Sequence, residues 1–490
     1  MDRNQEQSTR KPLEIAIISP CATVVPHFET ELDIAQQHLD SGDSVRFFSC
    51  TGGLKNCDHN VNHSPAKCLD CVGRREMGLE LLSPRVPCSY FSETSADEVR
   101  VDFESVEDLI TYRIDDFDIG YAALSSVVSY CRDPEPDLEI HRETLNRFLV
   151  SAWQAYQQTL DFLSKHRYDR VYVFNGRFAA MRGVLRACQR MKVDCFLHER
   201  GCDGEHYDLF QNHMIHEIEA IQAVINDRWD AAESNPQRNA IAANWFYDRV
   251  NRVEKVWHSF VKNQESGRLP IGWNPEQKNI SIFCSSDDEF VAIGEAWRND
   301  VYPNQVTAIA RIAQDMLNAQ PDARIYLRVH PNLTEVDNQR KREMLSLDYS
   351  NLTVIPPDAS IDTYELMRSS DTVVSFGSSV GSEAIFWGKP SVLLGPCMYQ
   401  NLGGVYRSHS HAETIQLLTQ TLQPQEKTGA LKYGFWFQTR GYRHQYFRST
   451  ALFEGTFKDQ TLYARPPKRS SFCRLRKNVK RAFASILSGK

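Results

Sequence analysis

His330 stands between Val329 and Pro331 at the end of ARIYLRVHPN, an apolar run that a proline turns out of its sheet. An imidazole at such a rim can donate to a phosphate oxygen and steady a leaving group. Further on, in DTVVSFGSSVGSEAIFWGKPSVLLG, a strand ends at Ser375 and turns through Gly377, Ser378 and Ser379 into a short helix. Glycine lets a ligand approach the backbone, and two hydroxyls beside a positive helix end suit an anion. Glu383 lies four residues after Ser379 on the same helical face, where it would accept from ribose hydroxyls. Ser285 and Ser286 follow the strand NISIFC and take the equivalent rim position at the start of this domain. Phosphate, phosphate and ribose are the groups that such a set would bind. The spacing predicts a site for an activated nucleotide donor.

A second rim is predicted where FNGR (174–177) and HERGCDGEH (198–206) each close a strand. If those strands are neighbours, Asn175, Arg177 and Glu199 converge. Glu199, at the end of an apolar run, has the type and place of a general base for an acceptor hydroxyl. Asp203 and Glu205 stand behind it as alternatives. Arg177 would clamp an acidic group in two-pronged fashion, or else pair with Glu199 and serve only the fold. His27 either lines the same cleft or caps the first helix. Asp116-Phe117-Asp118 has the spacing of a metal-binding pair, but no strand precedes it, and no cofactor is expected for catalysis. Cys50, Cys57, Cys68 and Cys71 follow the second strand as C-x6-C-x10-C-x2-C. They are either unrelated thiols or the ligands of a structural zinc ion.

These side chains need two α/β layers to hold them. Leu13–Ser19, a helix from His27 to Ser41 and Ser44–Ser49 open one βαβ domain. The pattern returns at Arg170–Phe174, a helix over Phe178–Met191 and a strand at Val193–Leu197. Residues 212–265 read as mostly helical. Arg268-Leu269-Pro270-Ile271-Gly272 reads as the linker, because proline and glycine break both flanking patterns. The expected organisation is therefore a disordered N-terminus (1–12), an acceptor domain (13–267), a nucleotide-binding domain (273–430), a crossover segment (431–463) and a basic tail (464–490). The fold class is α/β: two Rossmann-like domains facing each other across a cleft, with helical insertions.

A chain of 490 residues exceeds one core, and 41% hydrophobic with 24% charged residues is ordinary for a globular protein. A net charge of −7 argues against a general nucleic-acid partner. Thirteen scattered cysteines suit a reducing compartment, so a cytoplasmic location is expected. From Arg465 onward there are nine Lys or Arg and no acid, interleaved with Phe472, Leu475, Val479, Phe483 and Ile486. That pattern predicts a helix lying in an anionic membrane surface.

With the His-Pro strand end, the serine loop and the Gly-Lys-Pro turn in place, the chain resembles bacterial capsule polysaccharide biosynthesis glycosyltransferases. The type is that with two Rossmann-like domains (GT-B), near the Kdo- and sialyl-transferring relatives. The motifs span 170–205 and 279–395. In that family the His-Pro and serine motifs bind the nucleotide of a CMP-sugar, which here implies His330-Pro331 and Ser378-Ser379. Its Glu-x-Gly motif supplies the base, which implies Glu199-Arg200-Gly201. The cysteine loop and the helical insertions depart from the family. The expected partners are thus a nucleotide-sugar, a glycan or glycolipid acceptor, and a membrane surface. A CDP-glycerol or ribitol phosphotransferase, a sugar-nucleotide 2-epimerase and a non-catalytic nucleotide-binding component are the alternatives.

Overall fold

A computed structural model describes residues 10–93, 99, 102–256 and 258–463. They fall into two compact units. One comprises residues up to Tyr130, Asp137–Ile215 and the chain from Gly441 onward; the other comprises Cys131–Pro136 and His216–Arg440.

The first unit opens with β1 (Glu14–Ser19), α1 (His27–Asp40), β2 (Ser44–Cys50), α2 (Pro65–Glu80) and β3 (Cys88–Phe91). Helices α3 (Val106–Thr111), α4 (Ile119–Cys131) and α5 (Leu138–Lys165) follow. Then come β4 (Arg170–Phe174), α6 (Ala179–Met191), β5 (Asp194–Arg200) and β6 (His206–Gln211). Strands β3-β2-β1-β4-β5 pair in parallel, so the loops after β1, β4 and β5 emerge at one edge. β5 runs three residues beyond the predicted Leu197, because antiparallel β6 pairs with it as far as Arg200. Ile15 and Ile17 of β1 pack against Phe28 and Leu32 of α1 in the core. Arg10 is ion-paired with Asp43 at 2.5 Å, so the expected disordered stretch 1–12 is anchored at least there.

The second unit begins with α7 (Ile218–Ala231) and α8 (Arg238–Val250), then β7 (Asn279–Phe283), α9 (Gln305–Ala319) and β8 (Arg324–Arg328). It continues through α10 (Gln339–Leu345), β9 (Leu352–Ile355), α11 (Thr363–Ser369), β10 (Thr372–Ser375), α12 (Val380–Phe386) and β11 (Ser391–Leu393). β12 (Tyr406–Arg407), α13 (His411–Thr419) and α14 (Thr428–Thr439) complete it. All six strands are parallel, in the order β12-β11-β10-β7-β8-β9. Ile325, Leu327 and Val329 meet Ile309 and Ile312 of α9 on one face, while Tyr326 meets Leu366 and Met367 of α11 on the other. Apolar cover on both faces accounts for the nearly continuous hydrophobic runs of the central strands.

The predicted boundary at 268–272 does not divide the chain. Helices α7 and α8 belong to the second unit, since Trp229 and Ala242 pack on Phe435, and Phe246 packs on Ile385, Phe386 and Ala430. Pro270 and Gly272 lie in the irregular stretch between α8 and β7, within that unit, and Ile271 is left 97% exposed. The crossover segment splits likewise: α14 stays in the second unit. The chain then returns to the first unit, where β13 (Tyr442–Arg443) pairs with β6, and β14 (Phe447–Ala451) forms a hairpin with β15 (Glu454–Phe457). The basic amphipathic segment 465–490 lies outside the described residues. Among the described residues no helix is long and apolar enough to cross a membrane.

Candidate active site

Because β10, β7 and β8 are adjacent and parallel, the loops that follow them share one edge of the second sheet. His330 follows β8, Ser285 and Ser286 follow β7, and Gly377 to Ser379 follow β10. The donor residues predicted from sequence are therefore brought to one rim. Gly377 has φ +113°, and a Cβ there would lie 2.7 Å from the carbonyl oxygen of Pro396, so the turn demands glycine.

The Asn332 N–H donates to His330 Nδ1 at 3.2 Å, in a one-turn helix opened by Pro331. That bond places the ring proton on Nε2. Burial, together with the guanidiniums of Arg249, Arg328 and Arg132, pushes the imidazole down to about 4, against the opposing pull of Asp288. At neutral pH His330 is thus an uncharged donor through Nε2–H.

The serines differ in availability. Ser379 Oγ donates to Glu383 Oε1 at 3.0 Å and accepts from Arg249 Nη2 at 2.9 Å. Ser378 Oγ accepts a long bond from the Val380 N–H at 3.4 Å, and its carbonyl accepts from the Tyr399 hydroxyl. Ser286 donates to Asp288 and accepts from Asn332. Ser285 Oγ is buried and, among the described residues, has no hydrogen-bond partner. A buried hydroxyl left unpaired costs about 1–3 kcal/mol.

Glu383 departs from expectation. Its carboxylate is 1% exposed and accepts from Arg249 Nε at 2.9 Å, from Ser379 and from the Tyr364 hydroxyl at 2.8 Å. A buried carboxylate must be paired to be tolerated, so this one is committed to the protein rather than presented to a ribose. It is a positioning residue. What it positions is Arg249, whose side chain is 39% exposed and lies over Trp245. Burial alone would lower the pKa of Arg249, but Glu383 and Tyr364 outweigh it and raise it.

Arg249 and Arg132 are the site residues that motif reading missed. Arg249 ends α8 on what was taken for the other domain, and Arg132 comes from the short segment Cys131–Pro136, where it pairs with Asp288. Neither has a local signature; only the packing of distant chain segments reveals them. Arg328, the last residue of β8, is 2% exposed and donates to the carbonyls of Pro356 and Ala359. Burial lowers it to about 10, which still leaves a fixed positive charge beneath the rim.

In the first unit, Asn175 and Glu199 meet as predicted. Asn175 Nδ2 donates to Glu199 Oε1 at 2.5 Å, and the Arg200 N–H donates to Oε2 at 3.3 Å. The turn at Asn175 and Gly176 has positive φ at both residues, and it lets the Asn175 Oδ1 accept from the Arg177 N–H at 3.1 Å. The Arg177 guanidinium lies over the Phe178 ring, 4.5 Å from its centroid. His27 starts α1 and packs 3.9 Å from the Phe174 ring centroid; burial, with His198, Arg200 and His59 nearby, holds it well below the usual imidazole range. His198 pairs with the buried Glu31 at 3.3 Å. Asp203 bonds His206 at 2.6 Å, and Glu205 accepts from the Ser449 N–H, so both alternatives to Glu199 serve the loop. Asp118 of the Asp-Phe-Asp run is clasped by Arg182 and Arg186, a role in the fold.

The four cysteines predicted as one ligand set do not assemble as such. Among the described residues, the one group of three or more candidate ligand atoms within 4.8 Å is Cys202, Asp203 and His206. Cys71 Sγ instead accepts from the Ala22 N–H at 3.3 Å, and Cys68 Sγ from Asn60 Nδ2 at 3.2 Å.

Residues 285–425 match the family model described as "Capsule polysaccharide biosynthesis protein". No curated protein sequence matches the chain. Among solved structures, it is similar to KpsC of Thermosulfurimonas dismutans, a β-Kdo 2,4 transferase, at 12% identity over 55% of this chain and 79% of that one (TM-score 0.38). It is similar to the UDP-GlcNAc 2-epimerase of Methanocaldococcus jannaschii at 9% identity over 86% and 97% (TM-score 0.27). A third is the glycosyltransferase SnogD of Streptomyces nogalater, at 12% identity over 86% and 99% (TM-score 0.22). The family match contains the loops after β7, β8 and β10, from Ser285 through Glu383. Over residues 285–425 this chain is thus similar to the capsule polysaccharide biosynthesis family.

Proposed function

We propose that the chain is a glycosyltransferase that moves a sugar from a nucleotide donor, a CMP-sugar, to a hydroxyl of a surface polysaccharide or glycolipid. The observation that carries this reading is the β10-β7-β8 rim. There an uncharged His330 donor, the unpaired Ser285 hydroxyl and the Arg249 and Arg132 guanidiniums gather around a glycine-serine turn. Such a set suits the phosphate of a nucleotide, and the family match covers the β7, β8 and β10 loops.

In the proposed reaction the acceptor oxygen forms a bond to the anomeric carbon as the bond from that carbon to the donor phosphate breaks. Glu199 takes the acceptor proton, and Asn175 fixes the carboxylate through Oε1. His330 donates to the departing phosphate through Nε2–H, and the guanidiniums offset its growing charge. The neutral state of His330 leaves phosphate recognition unaffected by pH near neutrality. Arg177 and His27 border the acceptor, and residues 465–490 hold the enzyme at an anionic membrane on the cytoplasmic side.

The test is product mass with CMP-, UDP-, GDP- and CDP-linked donors and oligosaccharide acceptors. Transfer of a glycosyl residue from a CMP-sugar, abolished in Glu199→Gln, is the expected result. A product heavier by a glycerol or ribitol phosphate, or an isomerised donor formed without acceptor, would replace this reading.

A further inference from the structure

A single exposed aromatic is ordinary on a protein surface. Phe260 is set apart by what it touches. Its ring lies 5.4 Å from the His330 ring, centroid to centroid, at an interplanar angle of 66°, yet the residue is still 48% exposed. It stands between α8 and β7 in the second unit, outside the matched residues 285–425. The rim residues His330, Ser285, Arg249 and Arg132 suit a phosphate, while Glu383, expected to hold a ribose, is committed to Arg249. The nucleoside half of a donor therefore needs another partner, and a flat apolar ring beside the imidazole has the chemistry for it.

The loop that carries Phe260 is pinned on both sides of it. Arg252 donates to the carbonyls of Lys262 at 3.2 Å and Gln264 at 2.8 Å. Glu254 Oε1 accepts from the Ser259 N–H at 2.9 Å. Gln264 is buried, and its Oε1 accepts from the Thr363 N–H at 2.8 Å. Val261, the next residue along, packs on the core cluster that contains Phe283, Tyr364 and Met367. The fold thus fixes the backbone around Phe260 and leaves half of the residue in solvent. A ring held in place before its ligand arrives saves ordering cost on binding.

We propose that Phe260 is the surface on which the nucleobase of the donor stacks. This inference rests on the nucleotide reading of the β10-β7-β8 rim and adds to it a binding residue from a separate loop. With the phosphate on His330 Nε2–H, the base lies one ribose further on, within reach of a ring packed on that imidazole. Stacking of a base on a phenyl ring is apolar and tolerant of base identity, because every base has a π-face. Phe260 therefore adds affinity for the nucleoside and leaves the choice among bases to polar groups.

The test is titration of the full chain with CMP and, separately, with ribose 5-phosphate, which keeps the phosphate and the sugar but lacks the base. Phe260→Ala should bind CMP about 5- to 150-fold more weakly than the parent. Its affinity for ribose 5-phosphate should match the parent's, and so should its melting temperature, since the side chain is half exposed. Phe260→Trp should keep CMP binding and gain, relative to the parent, an indole fluorescence that CMP quenches and ribose 5-phosphate does not. Equal CMP affinity in the parent and Phe260→Ala would overturn this inference alone. So would an equal loss for CMP and ribose 5-phosphate, which would mean that the ring acts only by supporting His330. A parent chain that binds no CMP, UMP or GMP would overturn the nucleotide reading and this inference with it.

Discussion

The two sheets carry opposite chemistry at their carboxyl edges. The second unit gathers guanidiniums, an uncharged imidazole and hydroxyls; of its interior carboxylates, Glu383 is saturated by three donors and Asp288 is paired with Arg132. The first unit gathers Glu199 and a series of histidines, with the Glu199 carboxylate held by Asn175. A phosphate fits the first set and a proton transfer fits the second. On the proposed reading, one fold type used twice would divide leaving-group and base chemistry by the residues that end its strands.

Glu199→Gln breaks the contrast most severely. Turnover should fall by about 10²–10⁴-fold while nucleotide affinity stays as in the parent, measured as kcat beside an equilibrium titration. Unchanged turnover would remove Glu199 as the base. Next in size, Gly377→Ala places a Cβ against Pro396 in a left-handed turn and should cost about 1–3 kcal/mol of stability in denaturant unfolding, together with weakened nucleotide binding.

A pH series sharpens the role of His330. Its folded pKa of about 4 lies below the unfolded value of about 6.5, so the unfolded chain takes up the proton first. Its contribution to stability is therefore present above about 6.5 and is lost as pH falls towards 4. His330→Gln should flatten that part of a melting-temperature series, with the remaining acid sensitivity due to other buried imidazoles such as His27. An equally steep loss in the variant would mean that His330 is charged in the fold. The smallest effect separates binding from stability: Ser285→Ala removes an unpaired hydroxyl, so the melting temperature should hold or rise while nucleotide binding weakens about 5- to 10-fold.

Local signals in the chain located the strands that matter. Alternation in Ile325, Leu327 and Val329, the proline after His330 and the glycine at 377 each report a backbone constraint, and each landed at the predicted rim. Asn175 and Glu199 were legible for the same reason, as residues that end adjacent strands. The charges that line the rim of the second sheet were not. Arg249 and Arg132 reach it from segments that tertiary packing alone assigns to the second unit, so a boundary drawn at proline and glycine hid them. The fate of Glu383 was also hidden, because the burial that occupies a carboxylate depends on Tyr364 and Arg249 folding over it.

The central claim is that the rim of β10, β7 and β8 binds a nucleotide phosphate through His330 and Ser285. Calorimetric titration of the full chain with CMP, UDP, GDP and CDP, repeated on His330→Ala and Ser285→Ala, tests it most directly. Saturable binding of CMP that weakens at least tenfold in His330→Ala and less in Ser285→Ala is the predicted result. No binding of any of the four, or equal affinity in the parent and both variants, would contradict it.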